Sequence, residues 1–460
     1  MKSITDKDKI DEIFTRGVGE FVDPEGKFRK KLETNPEKVV IKFGVDPTRP
    51  DLHLGHAVIL RKLRQLQDLG CKIVFLIGDY TAQIGDPTGK DKTRLEIEQK
   101  EIDNNMKTYL EQVDKVLSTQ KDVFSWIRNS DWFTSVTDIQ PSPGLKINFS
   151  RGNKMFGVFD ANSFIGKALL FEKTRMQETH LKNSVVHSVS LSFVLNTLRK
   201  ISHNRLIDRN MFKERLGNNE ELFMHEMLYP VLQGIDSIIL ARIYNSCDLE
   251  VGGNAQHFNM IMGRQVMSIH KQEPQAVLSF KLLEGTDGKE KMSKSSDNYI
   301  GITDEPNDMY GKVMSIPDSS IGNYFELCTF TPMGEVEEIR KKIKQGSVNP
   351  KDTKMNLAKQ IVEIYHGKDK AVKAEENFVQ TFQKGEIPEE MTEIVSAKNE
   401  NLMELVVKKE IVSSRADFRR LVEEGAVHNM DTGEQISDTT FTPRPGQKFK
   451  IGKRRFIRIK

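Results

Sequence analysis

The alternation of hydrophobic and polar positions in the first hundred residues predicts strands separated by a helix. The apolar run at 39–43 is typical of a buried strand. Behind it, Ile59, Leu63 and Leu66 recur at the spacing of one helical face. A second apolar run at 72–77 predicts the next strand. Because two strands joined through a helix run parallel with a right-handed crossover, this order predicts a parallel α/β sheet.

The same pattern returns later in the chain. A strand, a Gly-Gly turn and a helix are predicted within 248–262, and residues 276–283 form another apolar strand. Residues 100–230 lie between the two halves and are predicted to be helical at their start and end. The stretch 135–190 is rich in Asn, Ser, Gly and Lys, and its pattern supports no assignment.

Beyond the second half the pattern becomes helical and polar. Helices are predicted between about 304 and 385, among them Lys354–Tyr365 and Ala371–Phe382. Gly385 begins a predicted linker that runs to about 398. The chain therefore divides into three predicted parts: an α/β domain over 1–303 with an insertion near 100–230, a helical domain and linker over 304–395, and a small domain over 396–460.

Composition narrows the class of protein. Hydrophobic residues make up 37% of the chain and charged residues 29%, and no apolar run approaches the roughly 20 residues needed to cross a bilayer. Residues 1–17 mix acidic and basic side chains, which suits neither a signal peptide nor a transit peptide. The three cysteines lack metal-ligand spacing and are predicted to be buried thiols. These features predict a cytoplasmic protein without a membrane partner.

The net charge of +3 conceals an uneven distribution. Residues 396–460 carry 14 Lys and Arg against 9 Asp and Glu, a net charge of +5. The eight basic residues from Arg444 onward alternate with Phe and Ile, and no acidic residue interrupts them. A basic tail often serves only solubility, but this alternation predicts a pair of strands with one basic face, which suits contact with a nucleic-acid backbone.

Candidate chemistry lies in the loops that leave the predicted parallel strands, since ligands of such sheets bind beyond the carboxyl ends of the strands. In the loop at 44–56, His53 and His56 flank Gly55 where a helix begins, so their imidazoles lie at a positive helix end. In the loop at 288–296, Lys291 and Lys294 are cations suited to the phosphates of a nucleotide.

The loop at 78–94 looks at first like a phosphate loop. The gap from Gly85 to Gly89 is one residue short of that motif, and Asp91 stands where Ser or Thr should bind magnesium. We favour a different interpretation, in which Asp86 is a carboxylate for an ammonium group. Lys90 and Arg94, one helical turn apart, would then bind a polyphosphate. The alternative is a turn with a solvated Lys and Arg.

A third polar group lies on a predicted helix. Tyr229, Gln233 and Asp236 follow one another along one helical face of an otherwise apolar turn. One such residue would be a satisfied structural group. Three together predict a polar pocket for a small molecule, because each must find a hydrogen-bond partner if buried.

These motifs, His53–His56 followed far downstream by Lys291–Ser295, resemble those of class I aminoacyl-tRNA synthetases. With 44–48, 85–90 and 229–236 the resemblance narrows to the bacterial tyrosyl-tRNA synthetases and covers nearly the whole chain. It implies a Rossmann-like nucleotide-binding catalytic domain, a helical anticodon-side domain and a small α+β RNA-binding domain. It also implies a homodimer that uses tyrosine, ATP with Mg²⁺ on its phosphates, and tRNA.

The resemblance further implies roles for individual residues. The tyrosine ammonium is assigned to Asp86, Tyr229 and Gln233, its phenol hydroxyl to Asp236 and its carboxylate to Gln256. The catalytic positions around ATP and the leaving pyrophosphate are Thr48, His53, His56, Lys90, Arg94, Lys291 and Lys294. Further ATP-binding positions are Gly44, Asp46, Gly55, Gly253, Asn254, Met292 and Ser293. No residue is assigned as a metal ligand.

The last part of the chain resembles a small RNA-binding fold that also occurs in ribosomal proteins. Ser413 and Ser414 are expected to start a helix that Gly425 ends, with Phe418, Leu421 and Val422 packed inward. The candidate RNA-binding residues are Arg415, Arg419, Arg420, Lys453, Arg454 and Arg455. The alternative is a capped helix with a solvated basic face.

Two departures from the family pattern concern the pocket. One branch has a tyrosine on the first strand where this chain has Lys42, so Asp236 is expected to carry more of the selectivity. The family's Gly-Gly-x-Asp-Gln is Gly-Gly-Asn-Ala-Gln at 252–256, and the missing Asp normally meets the ribose hydroxyls. Either Asn254 compensates for Ala255 or ATP is held less tightly.

Two alternatives remain open at this point. A tryptophan–tRNA ligase shares the architecture, but Asp236 and the basic tail favour tyrosine. A synthetase-derived RNA-binding protein without ligase activity is the other, and Ala255 together with the unassigned stretch at 135–190 supports it. That alternative leaves the intact lysine loop unexplained.

Overall fold

The computed structural model describes residues 7–48, 52–87, 97–133, 146–151, 154–160, 189, 191–207, 209–293, 296–380, 391–394, 400–409, 411–412, 414–452 and 455–460. By its internal contacts the chain divides into two compact units. The first comprises residues 1–284 and 291–293, and the second comprises residues 285–290 and 294–460. The finer limits expected at 303 and 396 stay predictions.

The first unit contains the strands and helices of the predicted α/β domain. Its strands are β1 Val18–Val22, β2 Val40–Val45, β3 Lys72–Ile77, β4 Phe124–Arg128, β5 Lys146–Arg151, β6 Lys154–Asp160, β7 Leu249–Gly253 and β8 Ala276–Phe280. Its helices are α1 Lys7–Thr15, α2 Lys27–Thr34, α3 Leu54–Asp68, α4 Asp79–Ile84, α5 Gln99–Met106, α6 Tyr109–Asp114, α7 Ser130–Phe133, α8 Leu191–Leu198, α9 His203–Ile207, α10 Asn210–Gly217, α11 Met224–Tyr244 and α12 His257–Ile269.

Among the described residues, six strands form one sheet in the order β1-β8-β7-β2-β3-β4. Strand β2 pairs in parallel with both β3 and β7, and β3 continues in parallel to β4. Strand β1 closes the other edge antiparallel to β8. The predicted parallel α/β sheet is therefore confirmed.

The sequence pattern missed both edge strands. Strand β4 lies inside the segment 100–230 that was predicted to be helical at its ends, and β1 lies near the N-terminus. Strand β1 reads Val-Gly-Glu-Phe-Val and β4 reads Phe-Ser-Trp-Ile-Arg, and both mix polar and apolar residues too closely for either period to stand out.

The core of this unit lies between the sheet and the long helix α11. Ile235, Ile238 and Ile239 of α11 are buried in one cluster with Val74 and Leu76 of β3. The helix is apolar on most of its surface because the sheet covers one side and α12 packs on the other. Asn245, in the left-handed conformation with φ 64°, ends it.

The second unit begins with helices. They are α13 Pro306–Met314, α14 Ile321–Cys328, α15 Met333–Lys344, α16 Pro350–His366 and α17 Lys368–Phe378. The predicted helical character of 304–385 is confirmed over the described part, although α16 starts four residues and α17 three residues earlier than expected. The expected end at Phe382 lies outside the described residues. No helix among the described residues is long and apolar enough to cross a bilayer.

The rest of the second unit holds a small α+β module. It contains β9 Thr392–Ile394, α18 Leu402–Lys408, α19 Arg415–Glu423, β10 Val427–Asn429, β11 Lys448–Ile451 and β12 Arg455–Ile459. The strand order is β10-β11-β12-β9, and the pair predicted from the alternating tail is β11 with β12. Strand β9 lies inside the predicted linker, where three residues are too few for a strand pattern to be visible.

Candidate active site

The start of α3 brings together the two histidines and the lysine loop. The backbone N–H of His53 donates to His56 Nδ1 at 3.3 Å, and the two rings lie 4.0 Å apart. A Cβ added to Gly55 would lie 3.0 Å from the His53 ring and 4.0 Å from Met292 Cβ. Glycine therefore leaves room for the His53 ring, and Met292 of the lysine loop lies at van der Waals distance from the same point.

The lysine loop is anchored by its buried methionine. The backbone N–H of Met292 donates to the carbonyl of Leu283 at 2.8 Å, and Lys291 forms an isolated β-bridge with Glu284. Lys291 itself is exposed and Ser293 is half-buried. The predicted partners Lys90, Arg94 and Lys294 lie outside the described residues.

Asp46, in the loop after β2, links helices α4 and α11 at the carboxyl end of the sheet. It was expected among the ATP-binding residues, but its carboxylate accepts the Tyr229 hydroxyl at 2.8 Å and the Thr81 hydroxyl at 2.9 Å. Tyr229 belongs to the predicted amino-acid face, so Asp46 joins that face to the loop after β2. Thr48 and Gly44 lie on the same loop and strand end.

Asp236 is almost completely buried, with 2% of its surface exposed. Trp132 Nε1 donates to one carboxylate oxygen at 2.9 Å, and Asn129 Nδ2 donates to the other at 3.5 Å. Burial raises the pKa of Asp236 to about 7, against the opposing effects of the Lys42 charge and these two donors. This environment makes a strong acceptor for a hydroxyl group when the carboxyl is ionised.

Sequence reasoning missed Asn129 and Trp132. They follow β4 directly, on the same sheet edge as the other loops. The signal that could have found them is a polar cluster at the end of a parallel strand, but β4 had not been recognised. Asn129 also donates to the Thr81 hydroxyl at 3.0 Å, which continues the chain of contacts from Asp46 to Asp236.

Asp86 and Gln256 meet although 170 positions separate them. Gln256 donates its side-chain amide to the Asp86 carboxylate, and its own carbonyl accepts from Asn259 at 2.9 Å. Both were predicted to bind the amino-acid substrate, and the fold places them side by side.

Arg209 is a third residue that sequence reasoning missed. Its guanidinium lies 5.3 Å from the Phe212 ring and 5.6 Å from the Phe258 ring. Burial lowers its pKa, and the charges of Asp86 and Tyr229 oppose that shift. A buried cation therefore stands near the pair formed by Asp86 and Gln256.

Gln233 is hydrogen-bonded to strand β7 at the centre of the sheet. Its amide donates to Glu250 Oε1 at 2.9 Å. The same carboxylate oxygen lies 2.9 Å from the Nζ of Lys42, which is 1% exposed. The predicted face of Tyr229, Gln233 and Asp236 is present on α11, and each member has its own partner in the protein.

The turn after β7 contains the departure from the family pattern. The Asn254 carbonyl oxygen accepts a hydrogen bond from the Ser279 hydroxyl at 2.6 Å, and a Cβ at Gly253 would lie 3.0 Å from Leu282. The Asn254 oxygen that would accept from a ribose hydroxyl is thus bound by a neighbouring strand. This contact favours the interpretation in which ATP is held less tightly.

The predicted RNA-binding arginines lie on α19, which begins as expected. The Ser414 hydroxyl accepts from the Asp417 backbone at 3.1 Å and caps the helix. Arg415 lies 3.7 Å from Glu404 and Arg420 lies 2.6 Å from Asp417, with both arginines about two-thirds exposed. Arg419 is exposed as well.

Strands β11 and β12, which follow this helix along the chain, have a basic face. Phe449 and Ile457 are fully buried, so the alternate side chains Lys448 and Arg458 pair on the outer side. Lys450 Nζ lies 5.8 Å from the Phe456 ring on the same side. Arg455 is exposed, and Lys453 and Arg454 lie outside the described residues.

The sequence model of a protein family, the class I tRNA synthetases for tryptophan and tyrosine, matches residues 34–141 and 157–383. Among curated relatives, the tyrosine–tRNA ligase of Francisella tularensis is 36% identical over 97% of both chains. That of Thermotoga maritima is 38% identical over 92% of this chain and 90% of its own.

Solved structures resemble the fold. A truncated mitochondrial tyrosyl-tRNA synthetase of Aspergillus nidulans gives a TM-score of 0.55 at 21% identity, covering 83% of this chain and 95% of its own. A tyrosyl-tRNA synthetase of Archaeoglobus fulgidus complexed with L-tyrosine gives 0.51 at 19% identity, covering 80% and 99%.

Proposed function

The chain belongs to the tyrosyl-tRNA synthetases, the class I tyrosine–tRNA ligases, and we propose how its residues perform that family's reaction. Tyrosine is activated with ATP to tyrosyl-adenylate and pyrophosphate, and the tyrosyl group then passes to the 3′ end of tRNA. The observation that carries the proposal is the buried Asp236 carboxylate, held between Trp132 and Asn129 on the predicted amino-acid face.

In this proposal the amino acid lies along α11. Asp236 accepts the phenol hydroxyl, which a tryptophan or phenylalanine side chain lacks. The ammonium lies toward Asp86 and Tyr229, and the carboxylate lies near Gln256. Support comes from the contacts that join these groups, from Tyr229 through Asp46 and Thr81 to Asn129.

Activation needs no protein nucleophile. A carboxylate oxygen of tyrosine attacks the α-phosphorus of ATP, the bond to the bridging oxygen breaks, and pyrophosphate leaves with the electron pair. The protein supplies position and charge: His53 and His56 at the N-terminus of α3, and Lys291 on its anchored loop. Lys90, Arg94 and Lys294 are proposed beside the same phosphates.

Magnesium is proposed to be held mainly by the phosphates. Within the described residues no group of His, Cys, Asp and Glu side chains could hold a metal ion. Mg²⁺ keeps several waters and binds substrate phosphates readily, so ATP itself would carry it into the site and neutralise part of its charge.

The tRNA is proposed to bind the C-terminal parts of the chain. The helices from 304 onward would serve the anticodon side, and the basic face of β11 and β12 with α19 would contact phosphates. In the second step the terminal ribose hydroxyl of tRNA attacks the tyrosyl carbonyl, and AMP leaves.

We also propose that the protein is a cytoplasmic homodimer. The three cysteines are buried free thiols, as a reducing compartment favours. Large apolar side chains are exposed between 191 and 224, at Leu191, Leu195, Leu216, Phe223 and Met224. Such residues are typical of a surface that a second copy covers. Sedimentation equilibrium tests the dimer, and charge substitutions at Leu191 and Leu195 should yield monomers.

The reaction is tested by amino-acid-dependent exchange of pyrophosphate into ATP. Tyrosine should support exchange and tryptophan should not. If only tryptophan supported exchange, the substrate would be tryptophan and the assignment of tyrosine would be wrong. No exchange with either amino acid, in a protein that still binds tRNA, would contradict the ligase activity and favour an RNA-binding protein without it.

A further inference from the structure

A buried ion pair lies under the amino-acid face. Lys42 on β2 and Glu250 on β7 are 1% and 2% exposed at their side chains, and Lys42 Nζ lies 2.9 Å from Glu250 Oε1. Lys42 Nζ also donates to the Gln233 carbonyl at 2.7 Å and to the Ser237 hydroxyl at 2.9 Å. All three donors of the ammonium are therefore used.

The pair forms hydrogen bonds with both the backbone and the side chain of Gln233. Lys42 binds the carbonyl of this residue, and Glu250 accepts its side-chain amide at 2.9 Å. The second oxygen of Glu250 accepts from Gln275, whose carbonyl in turn accepts from Cys247 at 3.2 Å. The turn of α11 that carries Gln233 and ends at Asp236 is thus tied to the centre of the sheet.

The fold makes room for these groups at a helix crossing. A Cβ added to Gly263 on α12 would lie 2.7 Å from Gln275 Nε2 and 3.1 Å from Glu250 Oε2. Only glycine leaves space there for the amide and the carboxylate. The network is therefore accommodated by a neighbouring helix as well as by β2 and β7.

Stability does not account for such a pair. Taking two charges out of water is costly, and apolar side chains of similar volume often fold as well or better in the same place. Removing one partner alone is strongly destabilising, because the other charge stays buried and unpaired. A role in orienting the substrate-binding residues explains why polar groups occupy this position.

We propose that the Lys42–Glu250 pair is a positioning unit for tyrosine recognition, which holds Gln233 and Asp236 of α11 in the geometry that binds the substrate. The proposal rests on the function proposed above. It also gives Lys42 a task at the position where one branch of the family carries a tyrosine. The positive charge of Lys42 favours the ionised form of Asp236, the form that accepts the phenol hydroxyl best.

The test replaces both charges together, as Lys42→Met with Glu250→Met. This change removes the hydrogen bonds of the pair to Gln233 without leaving a buried unpaired charge. In tyrosine-dependent pyrophosphate exchange, the KM for tyrosine should rise about tenfold or more, as expected when one charge-assisted hydrogen bond is removed. The KM for ATP should stay close to that of the wild type, and rejection of phenylalanine should weaken.

A matched control uses another buried ion pair in the first structural unit of the chain. Arg215 Nη1 lies 2.8 Å from Glu226 Oε1, at 5% and 3% exposure, and the hydrogen bonds of this pair run to each other and to the chain at 221–223. Arg215→Met with Glu226→Met should shift the unfolding midpoint and leave the tyrosine KM unchanged. If both double variants raise this KM equally, the effect is general loosening and the proposal is wrong.

Other outcomes are equally decisive. A Lys42→Met, Glu250→Met protein with wild-type tyrosine KM and wild-type discrimination overturns the positioning role while the proposed ligase function stands. Absence of tyrosine-dependent exchange in the wild type overturns the ligase function first. Should the double variant fail to fold, Ser237→Ala, which keeps both charges and removes one acceptor of the Lys42 ammonium, must raise the tyrosine KM for the proposal to survive.

Discussion

At the scale of single residues, Asp236 is the proposed determinant of which amino acid is bound. Its carboxylate is buried, which raises its pKa, and Trp132 and Asn129 donate to its two oxygens. A site built for a hydroxyl rejects the analogue without it, because a buried polar group would be left unpaired.

Asp236→Asn should therefore lower selectivity for tyrosine over phenylalanine. The amide replaces one acceptor oxygen by a donor, which would also oppose the amide of Asn129. Tyrosyl-tRNA synthetase is itself the known example of this effect, with rejection by about five decades. The measurement is kcat/KM for both amino acids in pyrophosphate exchange, and unchanged discrimination would contradict the assignment.

The same carboxyl predicts a pH dependence. Its pKa of about 7 lies above the ordinary 3.8, so the neutral form stabilises the fold at low pH and that contribution is lost as pH rises toward 7. The ionised form accepts the phenol hydroxyl better. The ratio of kcat/KM for tyrosine to that for phenylalanine should thus rise between about pH 6 and 8. The ratio cancels the effect of histidine titration, which acts on both amino acids alike. If the wild-type ratio changes with pH as little as that of Asp236→Asn, the proposed titration of Asp236 is wrong.

The alanine at position 255 leads us to expect weaker binding of ATP than in relatives that have an aspartate there. If a carboxylate here holds the ribose in relatives, Ala255→Asp should tighten ATP binding by about 1–3 kcal/mol. Asn254→Ala should have little effect, because the Asn254 oxygen is already bound by Ser279. Equilibrium ATP binding of both variants is the measurement. A large loss of affinity in Asn254→Ala would show instead that Asn254 has taken over the ribose.

At the scale of elements, the crossing of α11 and α12 sets the distance between the amino-acid face and the turn that carries Gln256. A Cβ on Gly234 would lie 2.9 Å from Val266 Cβ and 3.2 Å from the backbone of Gly263. Val266 is fully buried and cannot move aside. The glycine therefore permits close helix packing.

Gly234→Ala should destabilise the protein by roughly 1–2 kcal/mol. Alanine gains up to about 1 kcal/mol in helix propensity, but overpacking a core costs about 1–3 kcal/mol and wins. The control is Gly217→Ala on α10, where nothing lies within 4 Å of the new Cβ. Urea unfolding should show a lower midpoint for the first variant only, and equal midpoints would exclude the clash.

At the scale of the whole molecule, the uneven charge predicts that different parts of the chain serve the two steps of the reaction. In the proposed mechanism the adenylate forms on residues of the first unit, whereas the +5 segment at 396–460 belongs to the second. Because β9 pairs with β12, a clean truncation must remove the small module from residue 391.

Deleting residues 391–460 should spare pyrophosphate exchange and weaken tRNA charging. Every phosphate that the module neutralises adds about 0.7–0.9 to the slope of log affinity against log salt, so the truncated protein should show a shallower slope. Binding of tRNA by the full and truncated proteins across a salt series is the measurement. Equal slopes would mean that the module does not bind phosphates.

The sequence by itself determined the central strands and the motifs. Strands β2, β3, β7 and β8 and helices α3 and α12 were predictable because buried elements leave a periodic pattern that needs no knowledge of their neighbours. The short edge strands β1 and β4 leave none.

Only the tertiary structure decided the partners of the polar residues. Tyr229 reaches Asp46 across 183 positions, and Lys42 finds Glu250 because β7 lies beside β2 in the sheet. Asn129, Trp132 and Arg209 entered the site in the same way. Hydrophobic burial is a property of each position and is written along the chain, whereas a hydrogen bond or an ion pair needs two side chains that only strand order and helix crossing bring together.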